Sequence, residues 1–210
     1  MKNNRGQGQP DKAVEAVLAK LAPEDRAVVQ GALKRAEKTE AELRFLADHD
    51  PLTGLVNRRR FRAELDQYVS FAARYGGRGA VMVIDIDGLK EVNDRAGHQA
   101  GDTLLRRVSE VMRERVRATD IVARLSGDEF AVLMPQTDTA GALQLGEDLR
   151  AQVAEGMPLN AEVDRASISV GIAMFGGQET AGAEAVLVAA DQAMYQAKSE
   201  GRNRIALFDA

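Results

Sequence analysis

The 210-residue chain contains no cysteine, and that absence removes disulfides, thiolate zinc sites and cysteine nucleophiles together. Histidine is nearly absent as well. His49 and His98 are far apart, which argues against a histidine-based metal centre. Any metal would therefore be held by carboxylates, a donor set that favours Mg²⁺ or Mn²⁺ over Zn²⁺. There is no basic excess: 28 Lys and Arg stand against 32 Asp and Glu, a net charge of −4. A protein that coats nucleic acid shows the opposite balance, so nucleic acid is not an expected partner. No run approaches the ~20 apolar residues that span a bilayer. The polar stretch from Met1 to Pro10 has no apolar segment behind it to form a secretion signal. The expectation is a cytoplasmic protein without membrane contact. What is present, 45% hydrophobic residues, suffices to bury a domain-sized core without staples.

The pattern divides the chain into a tail over 1–10, a helical segment over 11–47 and a domain over 48–210. Val14, Val17, Leu18 and Leu21 fall at helical spacing. Pro23-Glu24-Asp25 then reads as a fresh helix start, proline in the first turn with acids behind it. Val29, Leu33, Ala36 and Leu43 form a stripe on that second helix, interrupted where Glu40 stands in an apolar position. Such a stripe packs on its own domain, forms one arm of a helical hairpin, or pairs with a second chain. From Met1 to Ala47 nine basic residues face seven acidic ones, so the arm is no basic hook for nucleic acid.

Pro51 and Gly54 mark a turn between modules. Beyond it, Asn57 to Tyr75 is helical, ended by Gly76-Gly77. Ala80 to Ile86 is a branched apolar run that reads as a buried strand. Asp102 to Val116 is helical, and Ile121 to Leu125 with Phe130 to Met134 make a hairpin around Gly127-Asp128. A glycine leading a two-residue loop suits a turn whose first central residue has positive φ. Thr139 to Glu155 is helical, Ala166 to Phe175 a strand, Ala183 to Ser199 helical and Ile205 to Phe208 a closing strand. The core order β-α-α-β-β-α-β-α-β predicts an α+β fold, a mostly antiparallel sheet flanked by helices.

Two features carry chemistry. Asp85-Ile86-Asp87 ends the most hydrophobic strand, with both carboxylates on one face. Burying a carboxylate there is costly unless it is paired or binds metal. Asp128 and Glu129 sit at the hairpin tip. If the hairpin lies beside the Asp85 strand, its acids meet Asp85 around a divalent cation, the arrangement that supports in-line phosphoryl transfer. The alternative is that these acids cap turns and the next helix.

Together the motifs resemble the GGDEF domain, the catalytic domain of diguanylate cyclases. The resemblance rests on Asp48-His49-Asp50-Pro51-Leu52-Thr53-Gly54-Leu55-Val56-Asn57-Arg58, on Asp85 to Asp94 with Gly97-His98 and Gly101-Asp102 behind it, on Ser126-Gly127-Asp128-Glu129-Phe130, and on Ala190 to Lys198 followed by Gly201-Arg202-Asn203. It implies a palm-like nucleotidyl cyclase fold and a reaction that joins two GTP into cyclic di-(3′→5′)-GMP with release of two pyrophosphates. By the same resemblance, Asp85, the Ile86 carbonyl and Asp128 hold Mg²⁺ or Mn²⁺, two ions per site. Asp128 accepts the 3′-hydroxyl proton, with Glu129 as an additional contact. Lys90 stabilises developing charge, Lys198 and Arg202 grip the terminal phosphates, and Asn93 and Asp102 read the guanine edge beside His98. A carboxylate suits guanine because guanine presents N–H donors that adenine lacks. Asp102 is alternatively an N-cap for the helix at Thr103. Arg117-Ala118-Thr119-Asp120 resembles the family's inhibitory product site, where Arg117 and Asp120 would bind cyclic di-GMP. A homodimer, through the N-terminal helices or a domain–domain contact, is the implied assembly.

The signature departs from the family at Ser126, where a glycine is usual. A positive φ there would strain serine, whereas a negative φ leaves room for the hydroxyl to donate to phosphate. Gly88 and Leu89 replace frequent aromatics, which is expected to loosen base packing without removing charge. Because every metal and phosphate residue is present, an active enzyme is the first reading. A catalytically weak or silent receptor of GTP or cyclic di-GMP is the alternative.

Overall fold

The computed structural model describes residues 12–156, 166–176 and 182–209. The tail expected over 1–10 lies outside them. The chain forms two compact units, one ending at Ala47 and one beginning at Asp48.

The first unit contains α1 (Lys12–Leu18) and α2 (Pro23–Asp48), the latter crossing the boundary by one residue. Arg26 fastens the turn between them. Its guanidinium donates to the carbonyls of Leu18 (2.8 Å), Ala19 (3.1 Å) and Leu21 (3.1 Å), satisfying groups that the end of α1 leaves open. Val28, Leu43 and Leu46 are exposed on α2.

The second unit runs β1 (Val56–Asn57), α3 (Arg58–Tyr75), β2 (Arg78–Asp87), α4 (Leu89–Ala96), α5 (His98–Arg115), β3 (Ile121–Ser126), β4 (Glu129–Pro135), α6 (Thr139–Gly156), β5 (Ser167–Gly176), α7 (Ala183–Ser199) and β6 (Ile205–Leu207). The strands form one sheet in the order β1-β3-β4-β2-β5-β6. Its four inner strands pair antiparallel, and the short edge strands β1 and β6 pair parallel. This is the palm-like α+β architecture expected from the sequence. The apolar run of β2 lies at the centre because both its faces are covered. Met82, Ile84 and Ile86 face a layer that includes Val92, Leu104, Val108 and Leu149. Val81 and Val83 face Phe61, Leu65, Leu187 and Met194 from α3 and α7. Each fully buried aliphatic or aromatic side chain contributes about 1.5–3 kcal/mol.

Two differences from the sequence reading have clear causes. β1 is two residues long and pairs with β3, too short for any periodicity to show. The helix expected from Asp102 begins at His98, directly after Gly97, whose φ of 80° breaks it from α4. Asp102 is therefore inside the first turns of α5 and is not its N-cap.

Candidate active site

The hairpin lies beside β2. β4 pairs with β2 so that Glu129 is opposite Asp85, which brings the tip residue Asp128 next to the end of β2. The Ile86 N–H donates to the Asp128 carbonyl at 3.2 Å, tying the two together through main chain. Gly127 has φ 24°, the positive first position expected of the turn. Ser126 has no positive φ and so carries no strain. Its hydroxyl donates to the Glu129 carboxylate at 2.7 Å instead of facing open space.

Arg124 supports the tip from below. Its Nε and Nη2 both donate to the Gly127 carbonyl (3.0 and 2.7 Å), while Nη1 reaches the Asp50 carboxylate at 3.2 Å. Asp50 also accepts from the Thr53 N–H and hydroxyl (2.9 and 2.7 Å), which locks the turn over Asp50 to Leu55. Burial raises the Asp50 pKa, but the bonds from Thr53 and then Arg124 outweigh it and leave the carboxyl below its ordinary range. This strut was missed in the sequence, because Asp50 and Arg124 are 74 residues apart with no shared motif.

A cavity of about 410 Å³ opens over the end of β2. Asp85, Ile86, Asp87 and Asp128 line its acidic side, and Lys90, Lys198 and Arg202 bring cations to it. Gly201 (φ 121°) and Arg202 (φ 61°) bend the chain past the end of α7, so that Lys198 and Arg202 both reach the cavity although they are four residues apart. The Lys198 ammonium lies 2.7 Å from the Asp85 carboxylate. Among the described residues, the side chains of Lys90, Asp128 and Arg202 make no hydrogen bond or ion pair, so these charges are open to a ligand.

Asp85 is 4% exposed. Burial pushes its pKa up to about 6, the Lys198 hydrogen bond pulls against this, and the Asp128 carboxylate adds repulsion. A site that penalises its own carboxylates is one that gains from a cation. Among the described residues no group of three or more carboxylate or histidine side chains is placed to hold a metal ion. The protein thus offers two carboxylates and a main-chain carbonyl, hard oxygen donors in the small number that suits Mg²⁺ shared with substrate phosphates. The residues present fit such an ion.

Other expected residues stand elsewhere. Glu129 shares the sheet face of Asp85 but lines a neighbouring cavity of about 320 Å³ with Arg58 and Arg62, not the cavity of Asp128. Asn93 lies on α4 beyond Lys90, with its amide against Gly101 of α5; a Cβ on Gly101 would collide with Asn93 Oδ1. Asp102 follows Gly101 and is half-buried, and His98 is exposed at the start of α5. These three do not line the 410 Å³ cavity. Gly101→Ala is expected to push the Asn93 side chain aside.

Arg117 and Asp120 form a closed turn at the far end of α5. The Arg117 N–H donates to Asp120 Oδ2 at 2.9 Å, and the Asp120 N–H returns to the Arg117 carbonyl at 3.0 Å. The Arg117 guanidinium is exposed and is not ion-paired with Asp120, the arrangement an ordinary surface pair would have shown. Both residues line two shallow cavities of about 330 and 180 Å³.

The sheet, the carboxylates at a strand end and a hairpin tip, and the cation-rimmed cavity define a palm-like α+β domain with a site charged for an anionic ligand. The family described as diguanylate cyclase, GGDEF domain, matches residues 47–204, and the chain belongs to it. The bifunctional diguanylate cyclase/cyclic di-GMP phosphodiesterase MucR of Pseudomonas aeruginosa is 40% identical over 183 residues, 87% of this chain and 26% of MucR. The response regulator PleD of Caulobacter vibrioides is 41% identical over 164 residues, 76% of this chain and 36% of PleD. The chain thus spans about a quarter to a third of these relatives. The crystal structure of the coiled coil and GGDEF domain of DgcB from Caulobacter crescentus, in complex with c-di-GMP, aligns with a TM-score of 0.78 at 30% identity, covering 93% of this chain and 99% of that one. No helix among the described residues is long and apolar enough to cross a membrane.

Proposed function

We propose that this chain is a diguanylate cyclase that condenses two GTP into cyclic di-(3′→5′)-GMP and releases two pyrophosphates. One observation carries the reading: Asp85 at the end of β2 and Asp128 at the tip of the β3–β4 hairpin share a cavity with three cations, Lys90 on α4, Lys198 on α7 and Arg202 just past it. Carboxylates alone would suit a cation store, and cations alone a simple anion site. The two together suit a nucleoside triphosphate with its metal. Incubation with GTP and Mg²⁺ tests it by formation of cyclic di-GMP; GTP binding without turnover would favour the receptor reading.

Asp85, the Ile86 carbonyl and Asp128 would hold Mg²⁺ or Mn²⁺, two ions in the full site. When bound, the metal supplies charge neutralisation at the triphosphate and acidification of the attacking 3′-hydroxyl. The chain does the rest. The Asp128 carboxylate accepts the 3′-hydroxyl proton. Lys90 faces the charge that develops at the phosphates. Lys198 exchanges its Asp85 partner for the terminal phosphates, joined by Arg202, so the site is charge-balanced before and after nucleotide entry. Asn93 and Asp102 select guanine beside His98, and Glu129 supports the hairpin.

Each domain positions one GTP, so the reaction needs two domains face to face. Exposed Val28, Leu43 and Leu46 on α2 support a homodimer through the helical arm. Activity per chain is expected to fall on dilution below the dimer dissociation constant; constant specific activity there would contradict dimer dependence. The exposed Arg117 guanidinium over the Asp120 turn supports product inhibition, since arginine forks onto phosphate or the guanine Hoogsteen edge. Arg117→Ala is expected to raise the inhibitory concentration of cyclic di-GMP about tenfold or more. Calorimetry with no binding of cyclic di-GMP to the unsubstituted protein would overturn this site.

A further inference from the structure

Asp87 ends β2 on the face of Asp85 and lines the same cavity, yet its carboxylate is committed elsewhere. Oδ2 accepts from the Ser167 hydroxyl at 2.6 Å and from the Asn203 N–H at 3.1 Å. Oδ1 accepts from the Ser169 hydroxyl at 2.7 Å. Ser169 is fully buried and Ser167 half-buried, both on one face of β5, so two hydroxyls of the neighbouring strand converge on this one carboxylate.

The third partner lies in a costly piece of backbone. Arg202 (φ 61°) and Asn203 (φ 46°) are consecutive non-glycine residues in the left-handed region. Such a conformation is costly for residues that carry a side chain, and it persists only where surroundings hold it. Asp87 holds the Asn203 amide, and Arg150 Nη1 holds the Asn203 side chain from outside at 3.1 Å. Immediately before this clamp stands Arg202, whose guanidinium has no protein partner among the described residues and lines the cavity.

We propose that Asp87 is a positioning residue for phosphate recognition: it pins the left-handed turn that directs Arg202 at the terminal phosphates, and it is not a metal ligand. This rests on the reading of the cavity as a triphosphate site. The two β5 serines fix the carboxylate, the carboxylate fixes the Asn203 amide, and the turn fixes the arginine. Both oxygens are occupied by neutral donors.

Calorimetry with Mg²⁺ and inorganic pyrophosphate tests this without any need for turnover, with GMP as a second probe that lacks the terminal phosphates. Arg202→Ala is expected to weaken pyrophosphate about tenfold, a lost charge-assisted contact. Asp87→Ala is expected to weaken it by a similar factor, and the double variant to be no weaker than Arg202→Ala within about twofold, because the two act as one unit. GMP affinity is expected to stay unchanged in all three, which also reports that the domain is folded. Asp87→Asn keeps the side chain's shape and is expected to fall between the unsubstituted protein and Asp87→Ala. If Arg202→Ala weakens pyrophosphate and Asp87→Ala does not, the inference is overturned while the site reading stands. A double variant about a hundredfold weaker, or a several-fold higher Mg²⁺ requirement in Asp87→Ala, also overturns it, since Asp87 would then act independently or as a ligand. If Arg202→Ala has no effect, the phosphate reading of this end of the cavity fails, and the inference with it.

Discussion

Asp128→Ala is expected to reduce cyclic di-GMP formation about 10³-fold or more while leaving the domain folded. In the proposed mechanism the loss combines a metal-holding oxygen with the proton acceptor for the 3′-hydroxyl, and general-base removal alone accounts for roughly 10²- to 10⁴-fold. The fold is expected to survive because the hairpin is fastened by main chain rather than by this carboxylate. The Ile86 N–H meets the Asp128 carbonyl, and Arg124 grips the Gly127 carbonyl; alanine keeps both. Stability is expected to change by less than about 0.5 kcal/mol, within the range of a side chain without partners. Since the Asp128 charge helps to raise the Asp85 pKa, its removal is expected to lower that value. Turnover of the variant measured alongside its thermal unfolding separates the two contributions. Equal turnover, or loss of the folded state, would each contradict this account of the hairpin.

Asp85→Asn is expected to abolish turnover and yet to stabilise the metal-free protein above pH 6. The sign follows from the direction of the shift. Asp85 titrates near 6 in the folded chain against 3.8 ordinarily, so the native state binds its proton more tightly. Stability from this group is greatest below pH 4, falls as pH rises through about 6, and stays reduced above it. Asparagine is neutral throughout and escapes the penalty. The shift is already net of the Lys198 hydrogen bond, which pulls the other way. The balance is a gain of about 1–2 kcal/mol at pH 7.5, or roughly 3–6 °C in Tm. The difference is expected to vanish near pH 4, where both side chains are neutral. Thermal unfolding at the two pH values checks it. A variant less stable than the unsubstituted protein at pH 7.5 would show that the Asp85–Lys198 pair outweighs burial. An active site built this way holds strain that its ligand relieves, so addition of Mg²⁺ and GTP is expected to reverse the order of the two proteins.

What the sequence made legible was what chemistry writes locally. The branched run into Asp85 marked the central strand, since a strand covered on both faces needs no polar alternation. Gly127-Asp128 marked the hairpin, since few residues tolerate its first turn position. The start of α5 was misplaced because His98 to Gly101 carries no apolar stripe and Gly97 offers no side-chain cap. The Arg124 strut and the Asp85–Lys198 pair join distant segments, and only the fold brings them together. Arg202 and Asn203 were harder still, because their left-handed backbone is the kind that sequence rules assign to glycine. One further signal lies in the sequence itself. Ser167 and Ser169 alternate within the otherwise apolar Ser167–Phe175 run, two hydroxyls on one face of a buried strand, and such a pattern asks for a polar partner. Asp87 is that partner.

The central claim is that the Asp85–Asp128 pair drives condensation of two GTP. Mass detection of cyclic di-GMP, with pyrophosphate counted in the same reaction of GTP, Mg²⁺ and the full chain, tests it most directly. The account predicts two pyrophosphates per cyclic di-GMP from the unsubstituted protein and almost no product from Asp128→Ala. Equal product from both proteins, or GTP consumed without cyclic di-GMP, would contradict it.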